Sequence, residues 1–86
     1  DNYPNPFNPA TEIRYQLPEA AEVQIVVYNL LGQKVQTLVN GKQQAGAYTV
    51  RWEGVNEQNQ AVPSGMYFLR MKAGKFVADR KLMLLK

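Results

Sequence analysis

The sequence has no cysteine and no histidine, and Ser64 is its single serine. Disulfide bonds, zinc sites built from Cys or His, and catalytic pairs of a nucleophile with a histidine are therefore excluded. No apolar run approaches the ~20 residues of a membrane-spanning helix. A chain of 86 residues can also give up little of its core to a substrate cleft. These features favour a binding, structural or signalling module over an enzyme.

Charge is modest in sum, at +3, but it is unevenly distributed along the chain. Residues 1–60 carry four basic and six acidic side chains, whereas residues 61–86 carry six basic and one acidic. This asymmetry indicates either an interaction surface or basic residues that block edge-to-edge association of strands. Nucleic-acid binding is not expected, because no aromatic residues are interleaved with the basic ones in a nucleic-acid-binding pattern.

Alternating apolar and polar residues predict seven short strands separated by turn signals. The strands are expected at residues 11–17, 22–28, 33–39, 48–53, 61–62, 66–72 and 75–85. Turns are expected at Pro18, Gly32, Asn40-Gly41 and Ala73-Gly74. The pattern predicts an all-β, seven-stranded immunoglobulin-like β-sandwich that forms one domain over residues 1–86. Its expected core residues are Tyr15, Ile25, Val27, Tyr48, Trp52 and Tyr67.

The first ten residues form a separate opening segment, rich in Pro and Asn. Its three prolines forbid a helix and remove backbone donors, so we expect an extended conformation. Tyr3 and Phe7 are too apolar for a solvated linker, and we expect them to pack on the end of the domain. Because the chain starts at Asp1 and not at Met, we also expect it to be part of a longer polypeptide.

Residues that could carry chemistry are sparse. No two of the seven carboxylates share a strand face beside apolar walls, as a glycosidase would require. A calcium site near Asn2, Asn5 and Asn8 stays open as an alternative with little acidic support. A sugar-stacking strip is the other alternative, and its candidates are Tyr28, Trp52, Phe68 and Phe76. We predict no cofactor and no catalytic residue.

Several sequence blocks carry a family resemblance. They are Asn-Tyr-Pro-Asn-Pro-Phe-Asn-Pro-Ala-Thr at residues 2–11, Tyr-Asn-Leu-Leu-Gly-Gln-Lys-Val at 28–35, the Gly-x-Tyr-x-Val-x-Trp pattern at 46–52, Pro-Ser-Gly-Met-Tyr-Phe at 63–68 and the basic–apolar terminus at 80–86. In this order they resemble C-terminal type IX secretion sorting domains. The same signature also resembles the immunoglobulin-like domain of flagellar hook-capping proteins, a sister family. The chain end at Lys86 favours the sorting domain.

The resemblance implies a non-catalytic, monomeric signal domain on an upstream cargo protein. Its partners would be the outer-membrane secretion machinery and a sortase, and its location would be secreted or at the cell surface. The opening motif of that family corresponds to Tyr3, Pro4, Asn5, Pro6 and Phe7. The alternative function is a structural or carbohydrate-binding accessory sandwich of a multidomain secreted enzyme.

The export signal itself is expected in the last strand. We predict recognition by Arg80, Lys81, Leu82, Met83, Leu84, Leu85 and Lys86. The excess of basic charge is concentrated near this end, and four consecutive apolar residues supply both faces of a strand. One face could then bury in the sandwich while the other binds a receptor. Alternatively, both faces are covered within the domain and the charges only keep it soluble.

Overall fold

The computed structural model describes residues 11–86, and every regular element in that part of the chain is a β-strand. The strands are β1 (Thr11–Leu17), β2 (Ala21–Tyr28), β3 (Lys34–Gln43), β4 (Gly46–Trp52), β5 (Gly65–Ala73) and β6 (Phe76–Leu84). The predicted all-β class is confirmed, but this region has six strands in two sheets and not seven. It contains no helix with the length and apolar character needed to cross a membrane.

The two sheets differ in size. β1 and β4 form an antiparallel pair in which Thr11 is opposite Trp52 and Leu17 is opposite Gly46. The other four strands form an antiparallel sheet in the order β3-β2-β5-β6. On each sheet the apolar residues of alternate positions face the other sheet, as the two-residue period of a strand requires. The result is a sandwich with one shared core.

Trp52 occupies the core and is fully buried. Its indole N–H donates a hydrogen bond of 2.9 Å to the carbonyl of Val55, which removes the cost of burying that donor. Its ring meets Tyr67 edge to face, with ring centroids 5.0 Å apart. The Tyr67 hydroxyl donates to the carbonyl of Pro63 at 2.6 Å. The loop after β4 is therefore tied to the core by two aromatic side chains.

Four of the six expected core residues are buried, namely Ile25, Val27, Trp52 and Tyr67. Tyr15 and Tyr48 are only partly buried and stack on each other, with ring centroids 5.3 Å apart. The Tyr15 hydroxyl donates to Oε1 of Gln43 at 2.6 Å. Burial raises the pKa of Tyr15, and the bond to Gln43 opposes this rise. The tyrosine pair thus covers one side of the core and keeps its hydroxyls near water.

The turn predicted at Asn40-Gly41 is wrong. Both residues lie inside β3, opposite Gln24 and Val23 of β2. Gly41 does not adopt the positive φ that a tight hairpin turn would require. The chain instead leaves the larger sheet after Gln43 and enters the smaller one, so the two strands are not hairpin partners.

The strand predicted at residues 61–62 is not among the six strands of the described residues. Within the described residues, this segment makes a single antiparallel bridge, between Val55 and Ala61. The N–H of Val62 donates to the carbonyl of Gly54 at 3.0 Å. The five-residue turn at 56–60 joins the two bridge residues, and within the described residues no further strand pairing extends the bridge.

Candidate interaction surface

The two outer faces of the sandwich differ in polarity. The smaller sheet presents polar residues together with one alanine, and these outer positions are Glu12, Arg14, Gln16, Ala47, Thr49 and Arg51. The larger sheet presents an apolar group near one end, which we call the outer-face patch: Tyr28, Met66, Phe68 and Met83. The outer face of an antiparallel sheet is normally polar. The patch is therefore the feature of the surface that needs an explanation.

Strand register places the patch residues side by side. Tyr28 is opposite Phe68 across β2 and β5, and Met66 is opposite Met83 across β5 and β6. Directly opposed residues have Cβ atoms only about 5 Å apart, so their side chains share one contact surface. Met83 is 51% exposed. The pairing thus gathers onto one surface residues that lie up to 55 positions apart in the sequence.

A lysine lies at each end of the aromatic pair. Lys34 is the register partner of Tyr28 on β3, and Lys81 is the register partner of Phe68 on β6. We call this line across the four strands the aromatic row: Lys34, Tyr28, Phe68 and Lys81. Because neighbouring strands are about 4.8 Å apart, its two ends are separated by roughly 14 Å.

An ion pair lies next to the aromatic row. Arg70 donates from Nε and Nη2 to the two carboxylate oxygens of Asp79, at 2.8 and 3.0 Å. This two-pronged geometry holds both side chains in place. The hydrogen bonds from Arg70 lower the pKa of Asp79 and raise that of Arg70. Together with Tyr28 and Phe68 the pair lines a shallow groove of about 330 Å³.

Two exposed leucines extend the patch beyond the sheet. Leu30 and Leu31 are 64% and 83% exposed in the turn between β2 and β3, and we call them the leucine tip. The Asn29 side chain accepts hydrogen bonds of 2.9 Å from the N–H groups of Leu31 and Gln33. Gly32 supplies the positive φ, at 80°. The tip is thus presented by a turn fixed by its own hydrogen bonds.

The same turn occurs a second time, at residues 56–60. Asn56 accepts hydrogen bonds of 3.0 Å from the N–H groups of Gln58 and Gln60, and its amide donates to the Gln60 side chain at 3.2 Å. Asn59 takes the place of the glycine, with a φ of 64°. The positions that correspond to the leucine tip are the exposed Glu57 and Gln58. The turn therefore forms equally well with polar residues at its tip.

A family model described as FlgD Ig-like domain matches residues 7–75. The chain belongs to the FlgD Ig-like domain family. A solved structure of FlgD from P. aeruginosa has the same fold, with a TM-score of 0.66 and 24% sequence identity. The alignment covers 87% of this chain and 59% of that one, so the chain matches about three-fifths of the length of the solved chain. No curated protein matches the chain.

The expectation of a type IX sorting domain is wrong, because both the family match and the structural match are to FlgD. The quoted sequence blocks resemble both families, and the choice between them depended on where the chain ends, which carries no information about fold. The expected partners were the secretion machinery, the sortase and the upstream cargo. They depended on that assignment and are wrong with it. The alternative of an accessory sandwich is not supported either.

The expected signal block of this FlgD Ig-like domain does not form one surface. Leu82 and Leu84 are buried in the core, whereas Lys81 and Met83 lie on the outer face. Arg80 is opposite Leu69, on the inner side of β6, but is exposed at the sheet edge. Leu85 is exposed, and the N–H of Lys86 donates to Oγ of Ser64 at 3.2 Å. Strand alternation thus divides the block between core, edge and outer face.

The remaining site candidates are dispersed or lie outside residues 11–86. Of the proposed sugar-stacking residues, Trp52 is buried and Phe76 lies away from the patch, beside an end cavity of about 560 Å³. Among the described residues no three acidic side chains are close enough together to hold a metal ion. The opening motif and the calcium candidates lie outside the described residues: Asn2, Tyr3, Pro4, Asn5, Pro6, Phe7 and Asn8.

The leucine tip and the pairing of Met66 with Met83 were not predicted from the sequence. The signal for the tip was present, since two adjacent leucines precede Gly32 at turn positions where polar residues are usual. The pair formed by Met66 and Met83 had no local signal, because it depends on the register of β5 and β6.

Proposed function

We propose that this chain is a non-catalytic domain of a scaffold protein of the flagellar hook-capping type, and that it acts by binding other proteins. The observation that carries this proposal is the outer-face patch, on a chain of the FlgD Ig-like family. Contiguous apolar groups at the surface of a domain commonly mark interaction sites, and here Met83 is exposed while the other three patch residues are half-buried. The patch also has the composition of protein interfaces, in which Tyr, Phe, Met and Arg are enriched.

The same reasoning supports a location outside the cytoplasm. A hook-capping scaffold works on a cell-surface appendage, so we propose that this domain acts at the cell surface or after export. We propose no catalytic role for the groove, in which Arg70 and Asp79 are paired with each other.

We also propose that the complete immunoglobulin-like fold has seven strands, with residues 61–62 as the short additional one. The bridge between Val55 and Ala61, with the hydrogen bond from Val62 to Gly54, supports a minimal hairpin there. Amide hydrogen exchange tests this directly. Protection of Val62 comparable with that of β1 is expected, and exchange at the rate of an open loop would contradict it.

Hook assembly by the full-length protein tests the functional proposal. In cells that lack the endogenous capping protein, the double variant Phe68→Ser, Met83→Ser should reduce the number of assembled hooks seen by electron microscopy about tenfold, because the patch loses its apolar contact area. The matched control is Arg14→Gln on the polar outer face of the smaller sheet, which should assemble hooks normally. Normal assembly by a well-folded patch variant would refute the proposal.

A further inference from the structure

The two equivalent turns serve as an internal comparison for the leucine tip. Both turns have Asn at the first position, a positive φ at the fourth and Gln at the fifth, and they share the same hydrogen bonds. One carries Glu57 and Gln58 at its exposed positions, and the other carries Leu30 and Leu31. The leucines are therefore not required by the turn, and their exposure to water is unfavourable for an isolated domain.

The leucine tip continues into the aromatic row. It begins two residues after Tyr28 in the chain, and Leu30 lines the same groove as Tyr28, Phe68 and Arg70. A ligand in this groove would contact the tip and the row at once. The groove thus joins the apolar turn to the aromatic pair, and strand register places one lysine on each side of that pair.

Resting on the proposed function, we propose that the leucine tip and the aromatic row form one docking surface for an acidic, apolar-centred segment of a partner protein. The segment places an apolar side chain over Tyr28 and Phe68 and one carboxylate near each of Lys34 and Lys81. In an extended chain, side chains four residues apart lie on one face about 13 Å apart. This separation fits the roughly 14 Å between the ends of the row.

Charge complementarity selects this occupant. Within residues 11–86, the ion pairs of the structure include neither Lys34 nor Lys81. The nearby carboxylate of Asp79 is held by Arg70, so the row presents uncompensated positive charge on both sides of an apolar centre. A partner with the opposite charge pattern is attracted and oriented by these lysines.

Two other occupants fit the surface less well. A second copy packed by two-fold symmetry would bring the same lysine-bearing surface against itself, and the like charges would repel. A lipid surface fits less well because the groove accommodates a side chain, and a lipid surface offers no side chain to fill it.

The test uses the 86-residue chain and a defined probe, the peptide Gly-Glu-Thr-Phe-Thr-Glu-Gly. An NMR titration of the backbone amides should show chemical-shift changes confined to the leucine tip and the aromatic row, with a dissociation constant near 1 mM. The peptide with Gln in place of both Glu residues should bind about fivefold more weakly. The double variant L30E/L31Q, which copies the residues of the second turn, should weaken binding by a similar factor, as should K34Q/K81Q.

The matched control is Gln58→Leu, which exposes a leucine at the second turn and should leave the peptide affinity unchanged. Equal binding of the Glu and Gln peptides, or shift changes elsewhere on the domain, would overturn the inference. So would sedimentation of the chain with vesicles containing phosphatidylserine, or a dimer that L30E/L31Q dissociates. If K34Q/K81Q binds the peptide as tightly as the parent chain does, the two lysines do not select the ligand. This outcome can be read even if L30E/L31Q folds poorly.

The peptide and hook assays fail independently. If L30E/L31Q and K34Q/K81Q leave peptide binding unchanged while the Phe68–Met83 variant blocks hook assembly, this inference is wrong and the proposed function stands. If the peptide binds as expected but hooks assemble normally without the patch, the proposed function is wrong and the docking surface serves another assembly.

Discussion

Replacing Trp52 by phenylalanine measures how much of the stability depends on the contacts of one buried ring. The indole N–H loses its bond to Val55, which contributes about 0.5–1.5 kcal/mol. The smaller ring leaves a cavity of roughly 40 Å³, which lowers the free energy of unfolding by about 1 kcal/mol. The edge-to-face contact with Tyr67 is largely retained. We therefore expect Trp52→Phe to lower the free energy of unfolding by about 2 kcal/mol.

Trp52→Ala should be more severe, at about 3–5 kcal/mol, because it removes the ring and its contact with Tyr67 altogether. Small domains have total stabilities near the lower end of ~5–15 kcal/mol, so the alanine variant should be largely unfolded. Urea unfolding followed by far-ultraviolet circular dichroism is the appropriate measurement, because Trp52 is the only tryptophan and its fluorescence disappears with it. For Trp52→Phe, the melting temperature should fall by roughly 8–16 °C.

Phe76→Ala is the matched control, since this aromatic side chain is 60% exposed and lies outside the core. It should change stability by no more than about 0.5 kcal/mol. If Trp52→Ala shifted melting as little as this control does, the ring would not be part of the core, and the packing described for the loop after β4 would be refuted.

Three further predictions concern other parts of the chain. In a carboxylate NMR titration the pKa of Asp79 should lie below its ordinary value, and Arg70→Met should restore that value. Because the pKa is lowered in the folded state, any stabilisation by the ion pair is complete above the ordinary pKa of the carboxyl. That stabilisation is lost as the pH falls through the folded-state pKa. Gly32→Ala should cost about 1–2 kcal/mol in urea unfolding through backbone strain alone, since no atom crowds the new Cβ, and an unchanged midpoint would contradict this. Deleting residues 1–9 should lower the melting temperature of the domain. An unchanged melting temperature would indicate that these residues act only as a spacer.

The strands were predictable from the sequence because burial on one face imposes a two-residue period. In β1, Ile13 and Leu17 are buried while Glu12 and Arg14 are exposed, as the alternation predicted. The Asn40-Gly41 turn failed because turn propensity is local. β3 instead pairs with β2 along most of its length, with register shifts after Ile25 and after Val27, and the chain then changes sheet, which no dipeptide encodes.

The interaction surface could be predicted only in part. Tyr28 and Phe68 were identified as aromatic residues that could be exposed, but their contact depends on β5 pairing with β2 and not on sequence spacing. The smaller sheet covers one face of β6, and its position therefore decides which face of β6 points outward. For this reason Met83 and Lys81 could not be separated in advance from the buried Leu82.

The pairing of β1 with β4 has a consequence for the order of folding. β2 with β3 and β5 with β6 are hairpins that need only short turns, and such units form within about 10 μs. The register of Thr11 with Trp52 instead closes a loop of about 40 residues, which carries a larger entropic cost. During synthesis β1 emerges first, yet its partner emerges more than thirty residues later. Until then β1 has no strand to pair with, and the apolar side chains of Ile13 and Leu17 stay uncovered until the larger sheet has formed over them, so the nascent chain is prone to aggregation.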